Sequence, residues 1–166
     1  VLAAEPTTQA SNILWLDWGK EFIAFSWTKG NGSGRLVIGK QATSLAGTDQ
    51  PSDRKEYSVS NIFGSGDTVG TAFALKNGDA DSVYVSGLQR NKAYIFKVFE
   101  YNGTGTSINY NPNGATGNPR YRKTNLKETA DEFQLVLGDR FSIVGFAPNP
   151  VRDQFSFEIL TNEALQ

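Results

Sequence analysis

The chain contains no cysteine, no histidine and no methionine. Without Cys there is neither a disulfide framework nor a thiol nucleophile. Without His there is no Ser-His-Asp triad, and the loss of both removes most zinc sites that a single chain can build. Catalysis would be left to carboxylate, Lys, Tyr or Ser chemistry. The missing Cys does not assign a compartment, since many exported proteins carry none. A dominant charge sign is lacking too: 16 basic residues face 17 acidic ones, for a net charge of −1. No field therefore draws the chain to nucleic acid or to an anionic membrane surface. No apolar run reaches membrane-spanning length. The first residue is Val1 rather than Met, which fits removal of an upstream signal or domain.

The residues that are present describe a β protein. Hydrophobic residues make up 39% and aromatics 12% of 166 residues, enough for one packed sandwich with a tail or part of a second domain. Seventeen glycines, with abundant Asn, Thr and Ser and few helix formers, indicate many turns. Strands are expected at residues 11–18, at 21–28, where Ile23, Phe25 and Trp27 share a face, and at 35–41 around Leu36, Val37 and Ile38. The turn KGNGSG joins the last two. Residues 45–79 are less regular, with short strands near 71–76 and 82–86 after them.

The chain is organised around GLQRNKAYIFKVFEYNGTG, Gly87 to Gly105. A turn leads into a strand whose Tyr94, Phe96, Val98 and Glu100 point one way and whose Ile95, Phe99 and Tyr101 point the other. A return strand is expected within 107–117, and the polar stretch 119–131 reads as a linker. Beyond it, 133–137 and 140–146 flank Gly138-Asp139 as a tight hairpin, followed by an alternating strand at 154–160.

A run of about seven short strands belongs to the immunoglobulin-like class. Gly87-Leu88, followed by Tyr94, resembles the fibronectin type III signature, in which Gly-Leu precedes a tyrosine corner. The resemblance makes Tyr94 the corner residue, its hydroxyl tied to upstream backbone, and Trp27 the core tryptophan, with Leu88 structural. Arg90 and Asn91 stand where the family often has Pro and Gly. TKGNGSGRLVI, FGSGDTVG and VFEYNGTGTSINYN resemble such modules in surface proteins of Bacteroidetes-type bacteria. SIVGFAPNPVRDQFSFEIL resembles the opening of a C-terminal sorting domain recognised by type IX secretion, through Pro148, Asn149, Pro150 and Asp153. The domain reading is then a fibronectin type III-like sandwich at 7–118, a linker at 119–131 and an incomplete sorting-type β module at 132–166.

Several residues are candidates for chemistry, each with a structural alternative. Glu100 is either an acid of raised pKa or a carboxylate accepting N–H bonds from the NGTG loop. Ile95, Phe99 and Tyr101 form either an aromatic platform for a sugar or partner, or a face covered by the 45–79 segment. Trp15 reads as core and Trp18 as the better surface-stacking residue. Asn77, Asp79 and Asp81 are either sparse calcium ligands or a turn. Arg120, Arg122 and Lys123 read as a solvated linker face. Asp67-Thr68-Val69 and Asp81-Ser82-Val83 resemble the pattern O-glycosylated on exported Bacteroidetes proteins, which makes Thr68 and Ser82 candidate acceptors.

The function expected from this reading is that of a non-catalytic module of an exported cell-surface protein, serving adhesion, spacing or assembly. The alternatives are an accessory carbohydrate-binding module of a secreted hydrolase and a filament subunit that exchanges strands. No cofactor, metal, nucleic acid or membrane span is expected. The expected partners are other domains or proteins at the outer face of a Gram-negative cell, secretion machinery, neighbouring copies, or polysaccharide.

Overall fold

Period-two alternation sorts the side chains of the first strands into inward and outward rows. In β2 (Ile23–Thr28), Ile23, Phe25 and Trp27 are buried while Ala24 and Ser26 are only partly covered. In β1 (Ser11–Trp18), Ile13 is buried and Leu14 and Leu16 are exposed. The other strands are β3 (Gly34–Lys40), β4 (Thr68–Val69), β5 (Ala72–Gly78), β6 (Ser82–Val85), β7 (Ala93–Asn102), β8 (Asn109–Tyr110) and β9 (Arg120–Lys123). The structure, a computed structural model, describes residues 1–126 and, beyond them, the strand pair β10 (Leu135–Val136) and β11 (Ser142–Ile143).

Two antiparallel sheets form an all-β, immunoglobulin-like sandwich. One has the order β1-β2-β6; the other runs β4-β5-β3-β7-β8, with β9 also pairing on β7. Ile13, Ile23, Phe25, Trp27, Val83 and Val85 from the first sheet meet Val37, Leu75, Tyr94, Phe96 and Val98 from the second. Phe25 and Phe96 lie 4.7 Å apart across this core.

The larger sheet has a second core on its far side. Leu36 and Ile38 of β3 and Phe99 of β7 point away from the sandwich interior into a cluster with Tyr57, Val69, Ile108 and Tyr110. The 41–67 segment covers them. Its backbone is tied down where Arg54 N–H donates to Ile108 O and Asp53 accepts from Tyr110 N–H. Tyr57 Oη accepts from Ser52 N–H at 2.9 Å.

Asp49 anchors the start of this covering segment. Its carboxylate accepts from Thr71 N–H at 2.7 Å, Thr71 Oγ1 at 2.8 Å, Ala46 N–H at 2.8 Å and Lys40 Nζ at 2.9 Å. Burial raises its pKa, but these hydrogen bonds outweigh burial and hold the carboxyl well below the usual range. Gly70 (φ +63°) packs against it, and a Cβ there would sit 2.7 Å from Asp49 Oδ1. Because the folded pKa is the lower one, the unfolded chain takes up the proton first. The stabilisation is complete above about pH 4 and is lost as pH falls further. Asp49→Asn is therefore expected to be less stable at neutral pH and to lose less on acidification. Thermal unfolding midpoints from neutral pH down to about pH 2 test this, and parallel curves for the two proteins would contradict it.

The domain limits differ from those expected. Residues 120–123 are not linker: β9 pairs with β7, Ala93 opposite Lys123 through Phe96 opposite Arg120. The lead-in before residue 7 is also docked, with Ala3 N–H donating to Ser107 O and Asn102 Nδ2 to Ala4 O. The first unit spans Val1–Thr129 and the second Ala130–Gln166. In the second, β10 and β11 pair with Leu135 opposite Ile143 and Val136 opposite Ser142. That register is offset by one residue from the one a two-residue Gly138-Asp139 turn imposes. Pro148, Asn149, Pro150 and Asp153 lie outside the described residues.

Candidate interaction surface

The platform expected on β7 is not open. Ile95 and Phe99 are buried, Phe99 completely. Lys97 closes over the Phe99 ring at 4.3 Å and donates from Nζ to Pro112 O, and burial lowers its pKa. Tyr101 is half-buried and donates from Oη to Asn77 at 2.7 Å. The physical reason is the second core, which a strand apolar on both faces requires.

Trp18 is occupied in another way. The Arg122 guanidinium lies 3.4 Å over its ring, and Arg120 lies 5.6 Å from Trp15. Arg120 also donates to Ile13 O at 2.7 Å. Arg120 and Arg122 therefore clasp β9 to β1, while Arg120 and Lys123 stay exposed to solvent on a strand and not on a linker. Trp15 is half-buried and packs edge-on against Phe25 and Phe96.

The remaining candidates are tied into the framework. Tyr94 Oη accepts from Gln89 N–H at 2.8 Å and donates to Gln41 at 3.1 Å. Burial raises its pKa. Leu88 is buried, its N–H donating to Glu21 O. Trp27 is buried in the first core. Glu100, fully buried, accepts from Gly30 and Gly32 N–H, each at 2.8 Å, and pairs with Arg35 Nε at 2.8 Å. Its backbone donors come from the KGNGSG turn, not from the NGTG loop. Arg35 Nη1 also pairs with Asp79, which Lys29 contacts at 2.9 Å and holds below its ordinary pKa.

No calcium cage forms at Asn77, Asp79 and Asp81. Asn77 Oδ1 accepts from Tyr101 Oη and Gly78 N–H, Asp79 is ion-paired, and Asp81 Oδ1 accepts from Ser82 Oγ. Among the described residues no group of three acidic side chains is placed to hold a metal. Thr68 and Ser82 are exposed.

The accessible surface lies on the outer face of β1-β2-β6. Leu16 is 61% exposed, Leu14 57% and Tyr84 51%. Tyr84 stands directly opposite Ala24, and Phe22 stacks on its ring at 5.1 Å with an interplanar angle of 19°. A break in register between Trp15 and Asp17 aims Leu16 at the same face. Ile62 and Val59, both exposed, lie beyond the β6 edge. A groove of about 660 Å³ opens at the β6 edge of this face, lined by Leu16, Ala24, Asn61 and Tyr84 and reaching Leu75 and Lys76 of β5. The signal was present in the sequence: Val83 and Val85 facing inward put Tyr84 outward.

No family model matches the chain, and no curated protein does. Among solved structures, the fibronectin type III domain of human fibronectin type III domain containing protein 3 matches at 17% identity and a TM-score of 0.45, over 75% of this chain and 91% of that one. An FN3 domain of human collagen XX matches at 14% identity and a TM-score of 0.37, over 67% and 98%. A computationally redesigned β-sandwich protein matches at 15% identity and 0.42, over 74% and 96%. At these values the likenesses carry no functional weight.

Proposed function

We propose that the chain is a non-catalytic module of an exported protein displayed at the cell surface, serving adhesion or assembly through the outer face of β1-β2-β6. The observation that carries this reading is the exposure of Leu14, Leu16 and Tyr84 on one sheet face, with Leu16 and Tyr84 lining one groove. Two further features support it. Glu100, Asp49 and Asp79, the acidic groups with the most unusual surroundings, each hold structural partners. The Pro148-Asn149-Pro150 segment, with Asp153, resembles a secretion-sorting signal. The test is protease added to intact cells that make the native protein. Loss of the intact chain supports display, and a chain that survives until lysis overturns it.

A further inference from the structure

We propose that the groove beside Tyr84 binds a neutral oligosaccharide, with the Tyr84 ring as its stacking platform. The inference deepens the module reading and rests on it only for the choice of face. Phe22 covers one face of the Tyr84 ring, and Tyr84, which lines the groove, is nonetheless 51% exposed. One face of Tyr84 is thus backed by an aromatic neighbour that fixes its orientation, and the other is offered to a ligand. Directly opposite in the ladder stands Ala24, whose methyl group leaves a low floor between Tyr84 and Leu16.

The chemistry of the walls selects the ligand. A pyranose presents an apolar face of C–H groups and a rim of hydroxyls. The groove matches that pattern: Tyr84, Leu16, Ala24 and Val59, with Leu75 and Val83 beneath, are its apolar surface, and Ser60, Asn61 and Ser82 its neutral polar rim. Asn61 Nδ2 donates to Tyr84 O at 3.2 Å, and among the described residues its Oδ1 accepts from none, so it remains available to a hydroxyl. The single charged residue in the lining is Lys76, which is too little for an anionic polymer. A volume of about 660 Å³ lies within the ~300–1,000 Å³ of small-ligand sites. A protein partner of this face would need roughly 800 Å² of fitting surface per side, most of it outside the groove, whereas a short sugar fits within it.

The test is titration calorimetry of the full 166-residue chain with short β-1,4-linked oligomers of glucose, xylose, mannose and N-acetylglucosamine. At least one is expected to bind. Tyr84→Ala should weaken it by about tenfold or more, Tyr84→Phe should retain it, and Ala24→Trp should block it by filling the floor. Tyr121→Ala, an exposed tyrosine of β9, should change nothing. Circular dichroism checks the fold of each variant, and Ala24→Trp leaves the platform in place should Tyr84→Ala misfold. The proposal is overturned if none of the four sugars binds, or if Tyr84→Ala and Ala24→Trp bind like the unmodified chain. Sedimentation that shows a self-association abolished by Tyr84→Ala also overturns it, because a second copy would then be the occupant. Binding is read in solution, so this proposal and surface display fail independently.

Discussion

Replacing Glu100 with Gln is expected to lower the unfolding free energy by about 3–5 kcal/mol, a large fraction of the ~5–15 kcal/mol that holds a domain together. Glu100 is fully buried and holds three donors at 2.8 Å: Arg35 Nε and the backbone N–H groups of Gly30 and Gly32. An amide in its place turns one acceptor into a donor facing another donor, and leaves the buried Arg35 with Asp79, which is exposed, as its remaining carboxylate. For a simple buried ion pair, replacing both partners with apolar residues is often neutral. Here it should not be. In an Arg35→Met, Glu100→Leu double variant the two glycine N–H groups stay unpaired, each costing about 1–3 kcal/mol. Side chains cannot simply be enlarged at the turn either, since a Cβ on Gly32 would lie 2.7 Å from Glu100 Oε2. Urea unfolding of the two single variants and the double variant decides the matter. A double variant as stable as the unmodified protein would show that Glu100 does not hold the turn.

The direction of Glu100 was legible and its partner was not. Alternation along β7 puts it on the face of Tyr94, Phe96 and Val98, which needs only local pattern. Its donors lie some seventy residues earlier, delivered by the pairing of β3 with β7 that sets Arg35 opposite Glu100. No local signal encodes such a long-range register. The covered face of β7 was readable in principle. Leu36-Val37-Ile38 and, Lys97 apart, Tyr94 to Phe99 are apolar on both faces, and such strands are buried on both sides. Strand β9 was hidden for the opposite reason. Arg120-Tyr121-Arg122-Lys123 shows no apolar period, because an edge strand tolerates charge and gains its place from the ladder to β7 and from arginine stacking on Trp15 and Trp18. Tyr84 was legible from Val83 and Val85. Phe22 as its backing was not, since it precedes β2 and meets Tyr84 only through the β2–β6 register.

Asn118→Ala is expected to cost about 2–5 kcal/mol, because the Asn118 side chain stands in for a missing piece of strand. One edge of β7 pairs with β9 at Ala93 to Phe96 and with β8 at Tyr101 and Asn102. Between them, among the described residues, no strand reaches Val98. The Asn118 amide fills that gap as a peptide group would: Oδ1 accepts from Val98 N–H at 3.0 Å, and Nδ2 donates to Val98 O and to Ala10 O, both at 2.8 Å. Gln9 does the same one pair along, accepting from Glu100 N–H at 2.7 Å and donating to Asn111 O and Asn113 O. Truncating Asn118 leaves one N–H and two carbonyl groups buried without partners. Asn118→Asp keeps the acceptor but sets a carboxylate against two carbonyl oxygens, so at neutral pH it should be at least as damaging. Its folded pKa is raised, because only the protonated form can donate to a carbonyl. Stability is therefore recovered as pH falls through that raised value, opposite in sign to the acid loss expected from Asp49. Hydrogen exchange locates the effect: the Val98 amide should lose protection in Asn118→Ala while the Phe25 amide in β2 follows only the global change. A change in unfolding free energy below about 0.5 kcal/mol, the range of an ordinary surface substitution, would show that water or a shifted loop replaces the amide without loss.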